Sequence, residues 1–66
     1  MKEEEIIKLW EAGIHKNVIA KMYRTRYNNW VKLVRLDVRH RKAPKFITSY
    51  QALNDVEKII YSHIRN

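Results

Sequence analysis

An all-α fold is what this sequence predicts, and three observations predict it. The 66 residues contain one glycine and one proline, too few breaks for a hairpin-rich β domain. Apolar side chains recur at helical spacing along most of the chain. An apolar content of 45% suits a folded chain rather than a disordered one. A chain this short makes one compact domain and buries only about 60% of its unfolded surface. Scaffolds of this size usually add disulfides, a metal or a second subunit. There is no cysteine, so disulfides and thiolate metal sites are excluded and a homodimer becomes the expectation.

Residues 2–12 read as the first helix. Glu3, Glu4 and Glu5 lie in its first turn, where carboxylates favour the positive end of the helix dipole. Ile6, Leu9 and Trp10 follow the i, i+3, i+4 spacing of a buried stripe. Gly13 ends the helix, because glycine tolerates the left-handed conformation at a helix stop. A short second helix over 16–23 turns Ile19, Ala20 and Tyr23 inward. Arg24 and Thr25 form the next turn, with Thr25 as N-cap of a third helix that runs from about Arg26 towards His40. On that third helix Tyr27, Trp30, Leu33 and Val34 share one side. Asn28, Lys32, Arg35 and Arg39 share the other, within a sector of roughly 60°. Pro44 disfavours helix at Ala43.

Residues 41–47 form a basic connector, and 48–66 hold a last amphipathic helix. Thr48 and Gln51 match a capping box, with Ile47 placed as a hydrophobic staple; Asn54 followed by Glu57 offers a second start. Tyr50, Leu53, Val56, Ile60 and Ile64 line one face, with Ile59 beside them. That face either folds back on its own helices or pairs with its symmetry mate. The second is the expectation, which assigns Leu53, Val56, Ile60 and Ile64 to packing or dimerisation.

Charge is concentrated in one internal block. Residues 15–45 hold ten of the fourteen Lys and Arg residues and one acid, Asp37, for a net charge of +9. The stretch before them carries −2, and the stretch after them carries zero. A positive field this localised calls for a negative partner, most commonly a nucleic-acid backbone.

The run from Gly13 to Tyr23 falls inside that block. It resembles helix-turn-helix DNA-binding domains, in particular the trihelical type of recombinases, resolvases and phage or transposon regulators. A Gly-apolar pair, Gly13-Ile14, turns the chain. The apolar-Ala pair Ile19-Ala20 follows, and Tyr23 closes the helix. Three positions depart from the pattern. Arg24 stands where the turn usually has glycine, His15 stands where the cap is usually Ser, Thr or Asp, and Val18 replaces an acid and is left partly exposed. The resemblance covers about residues 4–40. It implies a trihelical helix-turn-helix core over 1–40, to which the C-terminal helix is appended.

By position, the resemblance also implies that Arg26, Tyr27, Asn28, Val31, Lys32 and Arg35 face the major groove of double-stranded DNA. The helical wheel selects Asn28, Lys32 and Arg35 independently. The chemistry suits base edges: Asn pairs with adenine, Lys and Arg with guanine, and a valine methyl touches thymine. Lys16, Lys21, Arg24, Arg39, Arg41, Lys42 and Lys45 suit phosphates. The expected function is a small sequence-specific DNA-binding protein, a transcriptional regulator of phage or mobile-element type. Two alternatives stand beside it. One is sequence-neutral DNA organisation or a replication accessory role. The other is an adaptor or inhibitor that sets the basic face on an acidic protein such as a host polymerase.

Other classes find no support. His15, His40 and His63 lack metal-ligand spacing. No nucleophile, base and acid are set together, and there is no glycine-rich phosphate loop, so neither an enzyme nor a cofactor or small-molecule substrate is expected. Apolar runs are only a few residues long, too short to span a membrane. Met1 to Glu5 is acidic, the wrong sign for a secretory or transit peptide, so the expected location is the cytoplasm.

Overall fold

The computed structural model describes residues 1–37, 39, 42 and 44–65. Among them are three helices and no strand: α1 (Glu3–Glu11), α2 (Lys16–Leu36) and α3 (Ser49–Arg65). The all-α class therefore holds, with one correction to its layout. The two helices expected over 16–23 and 26–40 are a single 21-residue helix. Arg24 and Thr25 form no turn. Neither favours a left-handed conformation, and the Thr25 hydroxyl donates to the Lys21 carbonyl one turn back at 2.9 Å instead of capping a new helix.

The helix ends follow from local chemistry. Gly13 takes φ +87 after the C-cap Ala12. Its N–H reaches the Trp10 carbonyl and that of Ile14 reaches Leu9, which is the paired bonding of a Schellman stop. His15 then caps α2: its Nδ1 accepts the Asn17 N–H at 3.1 Å. At the far end α2 stops at Leu36, short of the expected His40. The Asp37 carboxylate accepts the Arg39 N–H at 3.0 Å and the Arg39 guanidinium at 3.1 Å, a local alternative to helical bonding. α3 starts at the expected capping box: the Thr48 N–H donates to Gln51 Oε1 and the Gln51 N–H to Thr48 Oγ1.

The helices run up, down and up. Glu5 meets Arg26 across the α1–α2 pair. Arg24 meets Ser49, and Lys16 meets Glu57, across the α2–α3 pair. The core is Ile6, Ile19, Ala20, Ala52, Val56 and Ile60, with Leu9, Trp10, Ile14, Tyr23, Ile47, Leu53 and Ile59 packed around it. Each large aliphatic chain buried there contributes roughly 1.5–3 kcal/mol relative to exposure. Ala52 belongs to this core and Tyr50 does not, so the buried stripe of α3 sits slightly around the helix from its expected position.

α2 outruns its neighbours. Its length of about 31 Å carries residues 27–36 past the contacts with Glu5 and Ser49. The molecule is correspondingly elongated, 40 × 21 × 18 Å. Trp30 and Leu33, expected in the core, are 51% and 68% exposed there. Among the described residues the returning segment 44–47 lines this part of α2: Asn28 holds the Ile47 backbone, and Arg35 holds the Pro44 carbonyl.

Candidate nucleic-acid interface

An unbroken α2 changes what its polar face can do. At 100° per residue, Asn17, Lys21, Arg24, Asn28, Lys32 and Arg35 fall within about 80° of one another. The two expected helices would have split this row, whereas the single helix joins it. Lys21 to Arg35 spans about 21 Å of helix axis. α2 contains six cations and no acid. The acids of α1 lie elsewhere, and Glu5 pairs with Arg26 at 3.0 Å on the α1 side of α2.

The expected base-contacting residues separate into two groups. Lys32 is exposed and makes no hydrogen bond or ion pair among the described residues. The other five are engaged within the fold. Asn28 is half-buried and spends both ends of its amide on Ile47: Oδ1 accepts the N–H at 3.0 Å, and Nδ2 donates to the carbonyl at 3.1 Å. Val31 is fully buried, so its methyls reach no base. Tyr27 is half-buried and lies between Tyr23 and Trp30, with ring centroids 6.2 and 5.7 Å away. Arg26 faces α1. The Arg35 Nε donates to Pro44 at 3.3 Å, and its guanidinium lies 4.9 Å from the Phe46 ring centre. The row read as a free face is therefore partly the seat of the returning chain.

The expected backbone-contacting residues fare differently. Lys21, Lys42 and Lys45 are exposed, with no ion pair among the described residues. Arg24 is half-buried and donates to the Ser49 hydroxyl at 2.6 Å, beside the start of α3. Lys16 is turned to α3 and pairs with Glu57 at 3.2 Å, which raises its pKa through that hydrogen bond and the charge behind it. Arg39 pairs with Asp37 and lies beyond the end of α2, not in the helical row. Arg41 lies outside the described residues. A shallow groove lined by Asn17, Lys21, Arg24, Ser49 and Leu53 runs between α2 and α3 on this side.

Of the residues assigned to packing or dimerisation, Val56 and Ile60 are fully buried in the chain's own core and Leu53 packs against it. They serve folding, and only Ile64 is exposed. Sequence reasoning missed Phe46, an exposed aromatic whose ring lies against the Arg35 guanidinium, and Tyr50, expected on the apolar face of the last helix, is exposed. The signal available was Phe46 directly after Lys45 and beyond the apolar stripe.

Among the described residues no group of His, Asp and Glu is placed to hold a metal ion. No helix among them is long and apolar enough to cross a membrane. No family model matches the chain, and no curated protein or solved structure matches it.

Proposed function

We propose that this chain binds double-stranded DNA, with α2 as a cationic rail along the phosphate backbone. One observation carries the reading. The continuous helix places Lys21, Arg24 and Lys32 on one acid-free face, and the segment bearing Lys45 returns beside the far end of that face. Cations spaced along about 20 Å of a rigid rod suit a regularly charged polyanion better than a point ligand. With Asn28, Val31 and Arg35 engaged inside the fold, phosphate contacts carry more of the affinity than base contacts. The geometry thus favours sequence-neutral binding, as in DNA organisation or replication.

The resemblance of residues 13–23 to recombinase and phage or transposon regulators favours a second reading, a sequence-specific regulator of that type. It requires Asn28 and Arg35 to exchange the 44–47 segment for base edges. Titration of labelled duplex DNA at several salt concentrations, with selection from a random-sequence pool, tests both. Five phosphate contacts (Lys21, Arg24, Lys32, Lys42 and Lys45) predict a slope of log affinity against log salt of about −4.5. A steep slope without enrichment supports the rail, and an enriched motif supports the regulator. No binding near physiological salt overturns both and turns the basic face towards an acidic protein.

A further inference from the structure

Trp30, Leu33 and Leu36 are large apolar side chains left open to solvent on one helix. They are exposed by 51, 68 and 80%. They form a ridge on the overhanging half of α2, roughly 140° around the helix from the basic row. Neither α1 nor α3 reaches it. The segment 44–47 lies on the other side of α2, against Asn28 and Arg35. Large apolar side chains grouped this way mark an interaction surface.

We propose that a second copy of this chain covers this ridge, with the two α2 helices side by side and antiparallel about a two-fold axis at Leu33. The spacing is self-complementary. With Leu33 opposite the partner's Leu33, Trp30 falls opposite the partner's Leu36, and the reverse contact repeats on the other side of the axis. Charge selects the antiparallel direction. Beyond its Asp37–Arg39 pair the overhang ends in a cationic segment with Lys42 and Lys45, while α1 begins, next to the Glu5–Arg26 pair, with Glu3 and Glu4. An antiparallel pair brings each cationic segment towards the other copy's acidic turn. A parallel pair would set like charges together at both ends.

The arrangement also has a consequence for the basic rows, which alone rests on the DNA reading. A two-fold axis perpendicular to antiparallel helices turns both rows to the same side. α3 packs alongside the row, through Ala20 and Tyr23, and touches it at Arg24. The two Lys21 residues are then separated by about 36 Å along the pair, close to the ~34–36 Å of one DNA helical turn.

The test uses the full chain without DNA, so its outcome is independent of the nucleic-acid reading. Sedimentation equilibrium over roughly 5–500 µM spans the weak range expected of a small interface. The wild type is expected to approach twice the monomer mass. Leu33→Lys sets like charges across the axis and should weaken association roughly a hundredfold, with an unchanged helical circular dichroism spectrum. Because the chain has no cysteine, Val18→Cys carries a single spin label. Its dipolar distance should be about 45 Å for the antiparallel pair, against roughly 10–20 Å for a parallel one. A monomer at every concentration, a dimer indifferent to Leu33→Lys, or the short distance would overturn the proposal.

Discussion

Asn28 shows how one side chain changes meaning between sequence and structure. On a helical wheel it is a polar residue in a basic row, suited to adenine. In the fold its amide closes a two-bond clasp on Ile47, which anchors the chain entering α3. Asn28→Ala should therefore destabilise the protein by about 1–3 kcal/mol, because it leaves half-buried backbone groups unpaired. Urea unfolding reads this directly, and an unchanged midpoint would show that the clasp contributes nothing. Tyr23 and Lys16 make a second statement at this scale. Burial, and then the facing Asp55 carboxylate, raise the Tyr23 hydroxyl above its ordinary 10.0. The Glu57 contact raises Lys16 above 10.5. Groups with raised folded pKa values contribute stability that is full below their unfolded values and is lost as pH rises through the folded ones. The melting temperature should fall as pH rises above about 10, and Tyr23→Phe should shallow that fall. Melting that is flat to about pH 11 would show that neither contact is coupled to stability.

Among the elements, α2 is the decisive one. Its continuity rests on residues 24 and 25 being ordinary helix residues, and Thr25→Pro tests that. Proline there removes the N–H that bonds one turn back and clashes with the Lys21 carbonyl, at about 3 kcal/mol or more. At the N-terminus of a separate helix the same change would be tolerated. Thermal unfolding followed by circular dichroism distinguishes the two, and a near-neutral effect would restore the turn. The ends of elements were legible wherever one side chain decides them: Gly13 stopping α1, and Thr48 with Gln51 starting α3. The missing break was not, because the apolar periodicities of 16–23 and 26–36 are in phase and read equally as one helix or two. Arg24, standing where the resembling motif has glycine, was the residue that argued for one. Asp37 ended α2 early through its own carboxylate, a competition that periodicity does not register.

On the scale of the whole molecule, the segregation of charge was legible and its geometry was not. The +9 block follows from composition, but which of its cations stand free depends on where the chain returns after α2. That return engages Asn28 and Arg35 and leaves Lys21 and Lys32 exposed. It also leaves Trp30 and Leu33 uncovered, because a helix of about 31 Å is longer than the bundle that packs against it. The internal core takes up Val56 and Ile60, so a second copy, if it is to add binding surface, meets α2 rather than α3.

In the proposed complex one continuous helix presents the cations that hold DNA. Lys21 and Lys32 lie on opposite sides of the supposed break and are exposed, and their side chains make no hydrogen bond or ion pair among the described residues. The most direct measurement is the salt dependence of duplex binding by the double variant Lys21→Ala, Lys32→Ala beside the wild type. Loss of two phosphate contacts should shallow the slope by about 1.8 and weaken binding to every duplex alike, with unfolding unchanged. An unaltered slope and affinity would rule out the rail and move the interaction off α2.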